Sequence, residues 1–169
     1  MKTVVVLAMH GSPPNDFPKR EMAEFFDLRA RLKRVEGADS VAIERRLTEL
    51  EAKMRVWPRT ARNDPYYAGS QDLAACLEET TKCKVIVGFN EFCAPSLDDA
   101  LDQASASDVE KVVVITPMMT RGGEHSELDI PNAVRRAQER HPHVTYVYVW
   151  PFEMAEVAQF LARQVDRWS

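Results

Sequence analysis

The chain alternates between short apolar runs and longer amphipathic segments. Four runs of mostly β-branched, aliphatic or aromatic residues predict strands, over 4–9, 84–89, 111–116 and 144–150. Nearly continuous apolar runs are typical of strands that are covered on both faces, as in a parallel sheet. Segments of helical length separate these runs, which indicates βαβ units with right-handed crossovers. The pattern predicts a three-layer α/β fold, with a four-stranded parallel sheet and helices on both faces.

Three of the intervening segments predict single helices, over 95–106, 129–141 and 153–168. The second offers Asp129 as an N-cap and Pro131 in the first helical turn. The third repeats apolar residues at helical spacing, which predicts one apolar face. These residues are Met154, Val157, Phe160, Leu161, Val165 and Trp168.

The first crossover is far longer than one helix requires. Segments 19–35 and 40–57 carry apolar residues at alternating spacings of three and four, and a Gly-containing stretch separates them. They predict a helical hairpin with a heptad-like seam. Segment 57–70 reads as a polar, Pro-containing loop, and 71–82 as a helix. We therefore expect an extended helical insertion over about 18–70, whose hairpin either packs on itself or serves as a dimer contact or a lid.

Length and charge narrow the class of protein. A chain of 169 residues is expected to form one domain, 1–169. The net charge of −4 disfavours nucleic acid as the main partner, because a phosphate footprint usually needs a basic excess. The apolar runs are too short to span a membrane, and the N-terminal run ends in His-Gly without a small-residue cleavage site. We expect a cytoplasmic protein with no membrane partner. Its three cysteines lack zinc or redox spacing and are expected to be reduced and packed.

Three chemically active side chains follow the first three predicted strands. His10 follows the first strand, Glu91 the second and His125 the third. In open α/β sheets, ligands bind beyond the carboxyl ends of the strands, near the point where the strand order reverses. Two imidazoles and one carboxylate at that edge predict a site for a divalent metal such as cobalt, nickel, iron or zinc. Each residue taken alone is also consistent with an ordinary turn.

Three motifs resemble one known family. The stretches "MHGS", "NEFCAPSLDDAL" and "VVVITPMMTRGGEHSELDIP" occur in this order. Together they resemble the small class II tetrapyrrole chelatases, the CbiX/SirB type of sirohydrochlorin chelatase. The last stretch matches the family pattern Gly-x-His-x-x-x-Asp-Ile-Pro. The resemblance implies a flavodoxin-like, chelatase-like version of the predicted fold.

The resemblance also implies an activity and a set of site residues. It implies a lyase that inserts Co²⁺ or Fe²⁺, and in some members Ni²⁺, into sirohydrochlorin or a related macrocycle of cobalamin or siroheme biosynthesis. The divalent metal is a substrate, and no organic cofactor is expected. His10 and His125 match the family's two key histidines, as metal ligands and proton acceptors. Glu91 matches its glutamate, which helps metal delivery or proton removal.

Contacts with the macrocycle are predicted from the loops around this site. The residues are Ser12, Met118, Met119, Arg121, Gly122 and Gly123. Arg121, with Lys19 and Arg20, would pair with carboxylates of the macrocycle, unless these cations are simply solvated. Met118 and Met119 would form the floor of the cleft, or else belong to the core. Larger relatives contain two such α/β halves, so the resemblance suggests a homodimer.

Other interpretations stay open at this stage. Members of the family often carry a second acidic residue where this chain has Ala94. A non-catalytic tetrapyrrole or metal carrier with the same fold is therefore the main alternative. Histidine phosphatases also have a His-Gly pair after a strand, but they place an arginine where this chain has Met9.

Overall fold

The computed structural model describes residues 2–106 and 108–168. Its strands and helices follow one another in the order that the apolar pattern predicts. The elements are β1 (Thr3–Met9), α1 (Lys19–Leu32), α2 (Ala38–Arg55), α3 (Pro65–Thr81), β2 (Lys84–Phe89), α4 (Leu97–Ala104), β3 (Lys111–Ile115), a π-helical turn (His125–Asp129), α5 (Ile130–Arg140), β4 (Thr145–Tyr148) and α6 (Met154–Val165).

The four strands form one parallel sheet in the order β2-β1-β3-β4. At the centre, Val6 of β1 pairs with Ile86 on one side and with Val114 on the other. The chain moves from β1 to one side and then returns to the other, so the strand order reverses at β1. This confirms the predicted flavodoxin-like α/β fold. It also places the carboxyl ends of β1, β2 and β3 side by side, where ligands bind in such sheets.

Two hydrophobic cores cover the two faces of the sheet. Alternate residues of β1 point to opposite faces, so Val6 joins the core with α4 and α5, whereas Leu7 joins the core with α1 and α2. This explains why the run is apolar without interruption. Together the sheet and the helices on its two faces make three layers, as predicted.

The α1–α2 hairpin packs against the rest of the chain. Leu50 and Met54 of α2 are fully buried in the same core as Phe25 of α1. Two ion pairs, Arg46–Glu24 and Lys53–Glu21, join the helices at their surface. The heptad-like seam is therefore filled from within the chain, and its buried residues are not free to form a dimer contact. The assignment of 1–169 to one domain stays a prediction.

Two helix starts differ in detail from the sequence prediction. Helix α3 begins at Pro65, inside the segment 57–70 that was predicted as a loop. The Asp64 carboxylate accepts a hydrogen bond from the Tyr67 amide, and proline suits the first turn, so this helix has a strong start signal. Asp129 occupies the N-cap position of α5 as predicted, but its side chain makes no capping hydrogen bond and pairs with His125 instead. The chain is already helical there, because the π-helical turn runs directly into α5.

Helix α6 is the least covered element. None of its described residues is buried, and Phe160, Leu161 and Val165 are exposed. Among the described residues, no helix combines the length and the apolar character needed to cross a membrane.

Candidate metal centre

His10, Glu91 and His125 come together at the carboxyl edge of the sheet. One potential ligand atom from each lies within 4.8 Å of the other two. Of the described residues, only these three form such a group of histidine, cysteine or acidic side chains. Ligand atoms that share a metal at roughly 2.1 Å each lie at most about 4.2 Å apart. Small rotations of these side chains would therefore close the set on one ion.

Both imidazoles have one ring nitrogen engaged and the other available. The Nδ1 atom of His10 lies 2.7 Å from the carbonyl oxygen of Gly11. A carbonyl oxygen can only accept, so Nδ1 carries the proton and Nε2 keeps its lone pair. The Nδ1 atom of His125 lies 2.6 Å from a carboxylate oxygen of Asp129, and an ionised Asp129 gives this ring the same tautomer. Such partners orient histidines for metal binding through Nε2.

The two rings also contact each other directly. Their centroids are 4.5 Å apart, and the ring planes are inclined by 84°. This edge-to-face contact brings together residues that are more than one hundred positions apart in the chain. The contact gives a reason for a histidine directly after the buried strand β1, because His10 lies at the sheet edge where His125 follows β3.

The loops after β1 and β2 pack tightly because residue 11 is glycine. The backbone amides of Asn90 and Glu91 donate to the carbonyls of Met9 and His10, both at 2.9 Å, which continues the parallel pairing beyond the strands. Gly11 has φ +98°, and a Cβ atom there would lie 1.8 Å from the Glu91 carbonyl oxygen. A side chain at position 11 would force His10 and Glu91 apart.

The buried side chain of Arg59 connects these two loops by hydrogen bonds. Arg59, whose side chain is 5% exposed, donates to the carbonyl oxygens of Ser12 at 2.7 Å and Met54 at 2.8 Å. It also donates to the Phe92 carbonyl and pairs with the fully buried Asp64 carboxylate. One guanidinium thus joins the loop after β1, the end of α2 and the loop after β2.

The half-exposed Tyr66 and the buried Cys93 also lie on this side of the centre. The Tyr66 hydroxyl accepts a hydrogen bond from the His10 amide at 3.2 Å, and burial raises the pKa of this phenol. Burial also raises the pKa of the Cys93 thiol, which donates to the Ser12 carbonyl at 3.5 Å. Cys93 packs in the core as expected, whereas Cys76 is exposed.

The Glu91 carboxylate has a partner that sequence reasoning missed. Arg29 of α1 donates to it and forms an ion pair. This hydrogen bond is the main reason why the pKa of the Arg29 guanidinium is raised. The sequence shows that α1 is a helix, but it does not show where the helix lies relative to the strand ends.

Comparison with known proteins identifies the family of the chain. The CbiX family model matches residues 60–167, more than half of the chain. The chain belongs to the CbiX family. The resemblance that the motifs indicate is thereby confirmed at the level of the family. The matched residues include β2, β3 and β4 and two of the three residues of the centre, Glu91 and His125.

Two curated relatives of this CbiX member share shorter segments with it. Over 70 residues it is 39% identical to the sirohydrochlorin cobaltochelatase of Priestia megaterium, which covers 41% of this chain and 22% of that protein. Over 62 residues it is 36% identical to the sirohydrochlorin cobaltochelatase of Methanopyrus kandleri strain AV19, which covers 36% of this chain and 43% of that protein. The match thus spans less than half the length of either relative.

Two solved structures are also similar to the chain. The sirohydrochlorin chelatase SirB from Bacillus subtilis subspecies spizizenii, in complex with cobalt, has a TM-score of 0.44 at 16% identity, over 89% of this chain and 44% of that one. The CbiX protein from Marinobacter aquaeolei VT8 has a TM-score of 0.48 at 17% identity, over 98% of both chains.

The residues predicted to contact the macrocycle divide between several surfaces. Ser12 lines a hollow of about 530 Å³ beside the loop after β1, together with Lys19, Phe17 and Phe26. The Ser12 carbonyl also accepts a hydrogen bond from Arg59. Met118 packs against the core on the α4–α5 face. Met119 instead lines a hollow of about 160 Å³ beside α6.

The glycine-containing loop after β3 is organised mainly by local hydrogen bonds. The Gly122 amide donates to the Glu127 carboxylate at 2.7 Å, and the Gly123 carbonyl accepts from the Glu127 amide at 3.0 Å. Arg121 is exposed and lines a hollow of about 350 Å³ with Tyr148 and Trp150. A role for these loop residues in binding the macrocycle stays a prediction.

Proposed function

We propose that the protein is a sirohydrochlorin chelatase that inserts a divalent metal into the tetrapyrrole. The observation that carries this proposal is the convergence of His10, Glu91 and His125, with both Nδ1 atoms engaged, in a chain of the CbiX family. Cobalt is the metal that we favour, because both curated relatives are named cobaltochelatases. Iron and nickel are the alternatives to test beside it.

The ligand set suits an ion that must be passed on. Two imidazoles and a carboxylate leave coordination positions open, and open positions allow a second ligand to approach. The nitrogens of the macrocycle would be that second ligand. A closed cage of four protein ligands would instead retain the metal. All three proposed ligands of this chain are at least partly accessible to solvent.

The proton balance of the reaction also suits these residues. Metallation replaces two pyrrole protons of the macrocycle by one divalent ion. When each histidine gives up the metal, its Nε2 lone pair becomes free to accept one proton, so two histidines match two protons. The Asp129 carboxylate would stabilise the imidazolium that forms at His125, because it already accepts from Nδ1.

The test is anaerobic metallation of sirohydrochlorin followed by absorbance, with Co²⁺, Fe²⁺ and Ni²⁺ in parallel. We expect wild type to accelerate metallation and His10→Ala and His125→Ala to lose the acceleration. His143→Ala is the matched control, because His143 is an exposed histidine outside the centre. Turnover that persists in both site variants would contradict the assignment of the histidines.

The same experiment separates an enzyme from a carrier. A folded protein that binds sirohydrochlorin and Co²⁺, yet leaves metallation as slow as in buffer, would be a carrier of the macrocycle or the metal. In that case His10 and His125 would be binding ligands without a catalytic role.

We further propose that the protein acts as a homodimer, because it has one four-stranded α/β unit where, by the family resemblance, larger relatives contain two such halves. The seam of α2 is buried within the chain, whereas the apolar face of α6 is exposed. The face of α6 is therefore the better candidate for the contact. Light scattering at micromolar concentration tests this, and a monomer would contradict it.

A further inference from the structure

The Glu91 carboxylate is shared by two potential partners. It is one of three side chains whose ligand atoms lie within 4.8 Å of one another, and it is also ion-paired with Arg29. A hydrogen bond between a guanidinium and a carboxylate is charge-assisted and directional. While that bond is made, it engages lone pairs and negative charge that a metal ion would also need.

We propose that Arg29 competes with the metal ion for Glu91, so that helix α1 sets how tightly the centre holds its metal. This inference rests on the proposed metal centre and assigns a role to the helical insertion. Arg29 acts here as a positioning residue that regulates a ligand, and it is not itself a ligand.

The charges around the centre support this competition. With both imidazoles neutral, Glu91 supplies the only negative charge among the three ligands, and Arg29 offsets it. A divalent ion that enters beside the guanidinium is repelled by it, and the ion must take the carboxylate from it. Both effects weaken metal binding, which suits a metal that is a substrate.

The surroundings of Arg29 allow it to leave Glu91. Its side chain is 44% exposed, against 18% for that of Glu91. Beside the pair lies a hollow of about 210 Å³, which Glu51 also lines. The carboxylates of Glu51 and Glu124 both interact favourably with the guanidinium. A displaced Arg29 therefore remains near negative charge and in contact with water, and it is not left as a buried, unpaired cation.

Calorimetric titration of the full chain with Co²⁺ alone, at fixed pH and ionic strength, tests the proposal. We expect Arg29→Gln to bind Co²⁺ roughly tenfold more tightly than wild type, the scale of one charge-assisted hydrogen bond. Arg29→Lys keeps the charge and should stay close to wild type. Arg31→Gln is the matched control, because it removes the same charge from the same helix and Arg31 pairs with Asp27. It should change the affinity by less than about twofold.

A second background separates competition from general repulsion. In Glu91→Gln, the carboxylate for which Arg29 and the metal compete is gone. Adding Arg29→Gln there should increase affinity much less than it does in the wild-type background. An equal gain in both backgrounds would overturn competition and leave only charge repulsion. An unchanged or weaker affinity in Arg29→Gln alone would also overturn the proposal.

The outcome also distinguishes this inference from the proposed function. If wild type and Arg29→Gln both fail to bind Co²⁺ while circular dichroism shows them folded, the metal centre itself is wrong, and the inference fails with it. If wild type binds and Arg29→Gln binds no more tightly, the centre stands and only the competition is wrong.

Discussion

The two sides of the proposed metal centre are held in different ways. On the side of His10 and Glu91, backbone hydrogen bonds join the two loops. The buried Arg59 donates hydrogen bonds to a carbonyl of each loop. On the side of His125, most of the described hydrogen bonds join residues within about five positions of each other. The hydrogen bond from the Tyr148 hydroxyl to the Ser126 carbonyl, at 2.9 Å, connects this side to β4.

This difference suggests a division of work between the ligands. His10 and Glu91 are preorganised by the core, so their separation is set when the chain folds. His125 sits on a turn with mainly local support, so we expect this residue to make the small adjustment that would close the three ligand atoms on one ion. A centre that accepts a metal and then releases it benefits from one fixed side and one adjustable side. Variants on the two sides should therefore behave differently.

The largest loss of stability is expected from substitution of Arg59, which connects the loops that carry His10 and Glu91. Arg59→Met leaves the Asp64 carboxylate buried without its cation, and losing one partner of a buried pair destabilises a protein by about 3–5 kcal/mol. Arg62→Met, at an exposed arginine of the same segment, should change the unfolding free energy by less than about 0.5 kcal/mol. Urea unfolding measures both. A loss below about 1 kcal/mol in Arg59→Met would show that the loops are held by other contacts.

A smaller effect is expected from glycine substitutions, and it should differ between the sides. Gly11 and Gly122 both have positive φ, +98° and +91°. An added Cβ at Gly11 meets the backbone of Glu91, whereas one at Gly122 meets nothing within 4 Å. Strain and overpacking together predict a loss of about 3 kcal/mol for Gly11→Ala. Backbone strain alone predicts about 1 kcal/mol for Gly122→Ala.

Thermal unfolding and Co²⁺ titration check this pair of variants. We expect Gly11→Ala to weaken Co²⁺ binding as well, because His10 and Glu91 move apart, and we expect Gly122→Ala to bind nearly as wild type does. Equal losses of stability in the two variants would argue that the sides are held equally firmly.

The smallest effect on stability is expected at Asp129, whose influence should be on the metal. Removing an outer partner of a histidine ligand typically lowers metal affinity by about 10–100-fold. Asp129→Asn should therefore weaken Co²⁺ binding by at least about tenfold with little change in thermal stability. Glu124→Gln is the charge-matched control, since Glu124 is exposed and adjacent to His125. A similar loss in both variants would mean that Asp129 acts only through its charge.

Much of the fold follows from local pattern. The strands read as apolar runs because both faces of the sheet are covered, and β4 shows more alternation because only Tyr146 and Tyr148 on one of its faces pack against a core. The start of α3 also has a local signal, since Asp64 and Pro65 together are typical of a helix N-terminus. The role of Asp129 had a signal too, because His125 and Asp129 are four apart at the start of a helix.

The sequence by itself determined which side chains would meet at the centre. Parallel strands align their carboxyl ends, so His10, Glu91 and His125 converge once the strands are recognised. Only the tertiary structure decided what surrounds them. Arg29 reaches Glu91, and Arg59 reaches two loops, because the helical insertion packs on one face of the sheet. Apolar periodicity fixes which face of a helix is buried. It does not specify which residue a polar side chain next to that face will contact.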